Sequence, residues 1–189
     1  MPYDPDRHHR RSIRLHGFDY RLPGLYFVTL CAYRRAWVFG QVDDGTMVLN
    51  AYGRAIAAAW KTIPRNNPHV RLDAFQVMPN HIHGIIEISA LPDIADAIAD
   101  ASQPAGVRPR GPSTGSLGAI LAGFKATATR RINALRHDQG EPVWQRNYWE
   151  HVVRDEDELA RIRTYIVSNP ALWVEDRLYG PAEGAPPSA

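Results

Sequence analysis

Two histidines separated by one isoleucine, His81-Ile82-His83, stand at the head of an apolar run ending at Ile88 that is rich in β-branched residues. Such a run reads as a strand, on which successive side chains alternate between faces. His81 and His83 therefore share one face and Ile82 takes the other. At roughly 3.3 Å of rise per residue their bases lie about 6 to 7 Å apart, close enough for two imidazoles to converge on one divalent cation. Taken alone, the same pattern also describes two surface histidines on an edge strand.

A second pair lies in Arg161-Ile162-Arg163-Thr164-Tyr165-Ile166-Val167-Ser168-Asn169-Pro170. Here Tyr165 and Asn169 are one helical turn apart and share a face, offset from the apolar stripe Leu159, Ile162, Ile166. A helix pinned by that stripe would present a phenol and a carboxamide oxygen together. The oxygen can serve as a third metal ligand, and the phenol can attack a phosphate that the same metal polarises. The plainer alternative is a packing tyrosine followed by a helix-ending asparagine.

The elements that must position these groups are legible in order. Leu25 to Tyr33 is aromatic and β-branched, a first strand; Asp43-Asp44-Gly45 between Val38–Val42 and Met47–Asn50 signals a hairpin. Asn50 caps an alanine-rich helix over 51–62, which Pro64 and Asn66-Asn67-Pro68 end. Val70 to Met78 and His81 to Ile88 are antiparallel strands joined by Pro79-Asn80. The stretch 89–113 is an acidic, then Pro/Gly-rich insertion, and 116–136 is the longest helical pattern, with Lys125, Arg130, Arg131 and Arg136 off its apolar face. Trp144 to Val153 is a fourth strand-like segment, and Asp155 with Glu158 opens a last helix that ends near Asn169. Without the hairpin and last helix the order is βαββαβ, the α+β ferredoxin-like split motif, with an antiparallel sheet and an added C-terminal helix carrying Tyr165. One sheet face would pack on two helices, leaving the other free for a ligand at the histidine pair.

The 189 residues, 44 % hydrophobic and 22 % charged, fit one globular domain with tails. The expected boundaries are a basic arm over 1–22 that includes Arg14, a domain over 23–175 and a disordered tail over 176–189. A single cysteine, Cys31, rules out an intramolecular disulfide and a cysteine-based zinc site. No apolar stretch approaches the ~18 residues of a membrane helix, and the polar N-terminus lacks a secretory signal, so a cytoplasmic, non-membrane protein is expected. The basic arm and the helix cations Lys125, Arg130 and Arg131 suit a phosphate backbone or simply a solvated surface.

Four ordered blocks carry a family resemblance: GFDYRLPGLYFVTLCAYRRAWVFG at 17–40, HIH preceded by VMPN, SLGAILAGFKATATRRIN at 116–133, and WQRNYWEHVVRDEDELARIRTYIVSNP at 144–170. Together they resemble the single-tyrosine HUH transposases and, more narrowly, the REP-associated tyrosine transposases. The resemblance implies that His81 and His83 are the metal-binding pair, that Tyr165 is the nucleophile and that Asn169 is the third ligand. It implies Mg²⁺ or Mn²⁺ as cofactor and single-stranded DNA beside a hairpin as substrate, cleaved through a 5′-phosphotyrosine. It leaves monomer and homodimer both open. His151, in the matching WEH, is a candidate further ligand, phosphate contact or structural residue. Trp144 and Trp149 are expected in the core, with base stacking as the other use. Two other readings stand beside the transposase: a non-catalytic nucleic-acid-binding ferredoxin-like domain, and a metal-dependent hydrolase with Glu87 as the carboxylate nearest the histidines in sequence.

Overall fold

The computed structural model describes residues 21–90, 114–136 and 140–179. The basic arm with Arg14, most of the 89–113 insertion and the tail beyond residue 179 lie outside the described residues.

Strand β1 (Gly24–Cys31) is followed by the hairpin β2 (Gly40–Asp43) and β3 (Thr46–Leu49), helix α1 (Ala51–Trp60) and the single turn α2 (Ile63–Asn66). Strands β4 (Val70–Val77) and β5 (His81–Ile88) come next, then α3 (Leu117–Arg136), β6 (Trp149–Val153) and α4 (Glu156–Ser168). The four long strands form one sheet in the order β4-β5-β1-β6, and every neighbouring pair is antiparallel. Each helical crossover, β1-α1-β4 and β5-α3-β6, skips over one intervening strand. This is the ferredoxin-like split motif expected from the sequence.

Local chemistry explains most boundaries. The β2–β3 turn places Asp44 and Gly45 at φ 46° and 69°, the left-handed pair that a two-residue hairpin requires. This hairpin forms a small sheet of its own. Asn50 caps α1 by accepting from the backbone N–H groups of Tyr52 and Gly53 at 2.9 and 3.0 Å. Pro64 does not end the helical region. It sits in the first turn of α2, where a missing N–H costs nothing. Asp155 caps α4 by accepting from Glu158 N at 2.7 Å, and the Glu158 carboxylate accepts from Arg154 N at 2.8 Å.

The even residues of β5, Ile82, Ile86 and Ile88, join Tyr26, Val28 and Leu30 of β1 against α1 and α3, in a cluster with Trp60, Leu121 and Phe124. The opposite face is not free as the sequence suggested. Phe27 and Ile85 there pack against Leu159 and Ile166 of α4. A stripe of that kind must be buried against another apolar surface, and this sheet face supplies one. His81 and His83 are consequently enclosed, at 0 % and 2 % exposure. The segment 144–153 also differs from expectation. Trp144 makes only an isolated bridge to Ala32, and the strand proper begins at Trp149.

Candidate active site

Strand β5 starts at His81, immediately after the Pro79-Asn80 connection, and Met78 N donates to His81 O at 2.8 Å to close it. Asn80 then fixes the first imidazole. Its Nδ2 donates to the Leu178 carbonyl at 3.0 Å, so its Oδ1 faces His81 Nδ1 at 2.7 Å and accepts. His81 therefore carries its proton on Nδ1 and a lone pair on Nε2. Thr29 lies opposite His83 in the β1–β5 register, and its Oγ1 sits 2.8 Å from His83 Nδ1.

The two Nε2 atoms face each other across 2.9 Å. With His81 contributing a lone pair, either His83 donates a proton to it or one cation takes both lone pairs. Two nitrogens bound at about 2.1 Å and at right angles would stand about 3.0 Å apart, so the spacing fits a shared metal. Burial lowers both histidines to a pKa of about 3, helped by Arg35 at His81 and by His81 at His83, with Asp176 opposing. Both are neutral at pH 7, as ligation requires.

Helix α4 brings Tyr165 and Asn169 over this pair. The Tyr165 hydroxyl stands 3.3 Å from His83 Nε2. Asn169 is 2 % exposed; its Nδ2 donates to Asp176 Oδ2 at 2.8 Å, and its Oδ1 is buried with no hydrogen-bond partner. A buried acceptor without a protein partner, on an amide that Asp176 links to the histidine pair, is a ligand atom that a divalent cation would satisfy. Asn169 also occupies the helix C-cap, the plainer role weighed from the sequence.

Asp176 was not among the sequence candidates. Its side chain is 3 % exposed, with Oδ2 4.0 Å from His81 Nε2 and Oδ1 accepting from Leu178 N at 2.6 Å. His81, His83 and Asp176 form a cluster able to hold a metal. Glu87, the carboxylate suggested by the sequence, instead points towards Arg71 at 3.8 Å, where it is partly exposed. Asp176 and Asn80 were missed because each is a lone polar residue outside any periodic pattern, and Thr29 because it sits within an apolar strand. For Asp176 the sole clue is its place seven residues beyond Asn169.

A cleft of about 500 Å³ opens onto His83 and Tyr165, with Thr29 and Asp176 also in its wall. Tyr165 is 42 % exposed there. Burial, with the negative charge of Asp176, pushes its phenol above the usual value, while Arg177 pulls it down.

No protein-family model matches the chain. An uncharacterized protein of Haemophilus influenzae is 40 % identical over 181 residues, covering 94 % of this chain and 97 % of its own. A second protein of that organism, described as "Putative REP-associated tyrosine transposase", is 27 % identical over 160 residues, 80 % of this chain and 73 % of that one. The solved structure of a REP-associated tyrosine transposase bound to a REP hairpin has the same fold, with a TM-score of 0.53 and 19 % identity over 83 % of this chain and 73 % of that chain. The chain is thus similar in sequence to a putative REP-associated tyrosine transposase and shares the fold of a solved one.

In this chain the expected DNA-facing residues do not gather at the cleft as one group. Arg130 and Arg131 are exposed on α3, across the sheet from the histidines. Lys125 is not part of a solvated stripe: its ammonium donates to the carbonyls of Gln145 and Asn147 at 2.8 and 3.3 Å. His151 Nε2 lies 2.8 Å from Glu158 Oε1 and ties β6 to the start of α4. Trp144 is buried as expected, but Trp149 is 41 % exposed in the cleft wall. No helix among the described residues is long and apolar enough to cross a membrane.

Proposed function

We propose that this chain is a metal-dependent transposase that cleaves and rejoins single-stranded DNA beside a hairpin, with Tyr165 as nucleophile. One observation carries the reading: the Tyr165 hydroxyl stands beside the facing Nε2 atoms of His81 and His83, and Asp176 Oδ2 joins His81 to the Asn169 amide. His81, His83 and Asn169 would hold Mg²⁺ or Mn²⁺, with Asp176 beside them orienting the amide and supplying negative charge. The bound ion would withdraw charge from the scissile phosphate.

The remaining steps belong to the protein. A phenol with a raised pKa is protonated at neutral pH and is a poor nucleophile until aligned. Packing of Leu159 and Ile166 fixes α4, and hence fixes Tyr165 over the cleft. The Tyr165 oxygen bonds to phosphorus, its proton leaves to solvent, and the bond from phosphorus to the 3′ oxygen breaks. A 5′-phosphotyrosine and a protonated 3′-hydroxyl result. Attack by a DNA 3′-hydroxyl on that linkage reverses the step without an external energy source.

The deciding experiment uses a labelled single-stranded hairpin from the DNA beside the gene, with Mg²⁺ or Mn²⁺. A DNA–protein adduct that survives denaturation is expected from wild type, but not from Tyr165→Phe or with chelator present. Asp176 lends one observation to the hydrolase reading, since it supplies a carboxylate beside the histidines. Cleavage that persists in Tyr165→Phe without any adduct would select that reading.

A further inference from the structure

We propose that Trp149 is a stacking platform for one unpaired base of the DNA flank, and that Lys125 holds the loop beside it in a base-reading position. This deepens the nuclease reading and rests on it for the identity of the ligand.

Trp149 opens β6 and keeps a large aromatic surface exposed at the cleft. Its ring is braced rather than loose. Phe27 meets it edge-on at 5.3 Å between centroids, and His151 stacks on it at 5.9 Å with 6° between the planes. Phe27 also meets the Tyr165 ring edge-on at 6.1 Å. One phenylalanine thus separates the attacking residue from the platform, and both line the same cleft. An exposed, rigid indole beside a phosphate-handling group is suited to an unpaired base, because every base offers a π-face.

The adjoining loop supplies the edge-reading groups. Gln145 and Asn147, both carboxamide residues, line the same cleft. Lys125 fastens the backbone between them, and burial lowers its pKa to about 8. Two of the three ammonium donors are engaged with loop carbonyls, so Lys125 acts through the loop. A cleft of about 500 Å³ is in the range of sites that enclose a small organic ligand, roughly 300–1,000 Å³.

The test measures binding of hairpin DNA with a single-stranded flank, taken from beside the gene, on the Tyr165→Phe background so that no cleavage interferes. An abasic site is walked along the flank. Removal of one particular base should weaken binding roughly 5- to 150-fold, the range for one stacked base. Adding Trp149→Ala should give the same loss and make binding indifferent to that abasic site; adding Trp149→Phe should restore the dependence. Lys125→Met should lose base dependence yet keep the salt slope, whereas removal of a phosphate contact lowers that slope by about one. The platform is overturned if Trp149→Ala binds normally, or remains sensitive to the same abasic site. A lowered salt slope with base dependence kept would overturn the role of Lys125. Adduct formation with Tyr165 restored is read in parallel. An adduct without base dependence at Trp149 discards the platform and keeps the nuclease; base dependence without an adduct does the reverse.

Discussion

Asn169 donates its amide N–H to Asp176 across 2.8 Å, and that bond decides which end of the carboxamide faces the two histidines. The donor end is occupied, so the oxygen end is left buried and unsatisfied. In Asp176→Ala the amide is free to turn and the nearby negative charge is gone. Loss of such a supporting partner typically weakens metal binding about 10- to 100-fold. Titration with Mn²⁺, followed by calorimetry, should show a fall of that size, while Tyr165→Phe should bind the ion nearly as wild type does. An unchanged affinity in Asp176→Ala would remove Asp176 from the site.

Thr29 makes a related prediction on the other side of the pair. Its hydroxyl is the partner of His83 Nδ1 at 2.8 Å, at a site only 8 % exposed. Thr29→Val keeps the shape of the side chain and removes the oxygen. His83 then loses the partner that sets its tautomer, and a buried ring nitrogen is stranded at a cost of about 1–3 kcal/mol. Metal affinity and thermal stability should fall together in Thr29→Val. A drop in stability alone would mean that Thr29 serves the fold and not the metal.

Much of this arrangement was legible beforehand because it depends on period. Alternation places His81 and His83 together, and helical spacing places Tyr165 with Asn169, whatever surrounds them. Burial was less legible, since both faces of β5 are apolar, with Ile85 on one and Ile82, Ile86 and Ile88 on the other. Strand alternation cannot say that α4 will cover the histidine side. Asp176 reaches the site from an irregular segment after α4, where no period operates. Lys125 misled for a different reason: on a helix it resembles any solvated cation, and its carbonyl partners lie 20 and 22 residues away. Trp149 is an aromatic residue of the kind that fills cores, and its place on the edge strand β6 is not readable from the sequence.

The helix carrying Tyr165 is held by a charge as well as by its apolar stripe. Arg163 Nε and Nη2 donate to the two carboxylate oxygens of Asp73 at 2.9 and 2.6 Å. A shift in the β4–β5 register between Leu72 and Phe75 marks an irregularity spanning Asp73 and Ala74, a device that redirects side chains. The Arg163 hydrogen bond is the main reason that Asp73 has a lowered pKa. The folded value lies below the unfolded one of roughly 3.9, so this contribution is present above that pH and is lost as pH falls through the folded value. Melting curves of wild type and Asp73→Asn should differ at neutral pH and converge in acid. A gap that persists at low pH would assign the effect to something other than this ion pair.

Gly84 follows His83 and offers a mechanical test of the same strand. A Cβ at this position would lie 2.4 and 2.7 Å from two ring atoms of Trp60 and 3.3 Å from a ring carbon of Phe75. Trp60 has little room to yield: it stacks on Phe75 at 4.7 Å and meets Phe124 edge-on at 5.2 Å. Overpacking of this kind costs about 1–3 kcal/mol, and either the indole or β5 must move. If β5 moves, His83 moves with it relative to Tyr165. Gly84→Ala should therefore lower the melting temperature and reduce adduct formation more than the fraction unfolded explains. In a Trp60→Phe background the added cost of Gly84→Ala should shrink, because the clashing ring atoms are gone. An equal cost in both backgrounds would show that the contact with Trp60 is not what reserves this position for glycine.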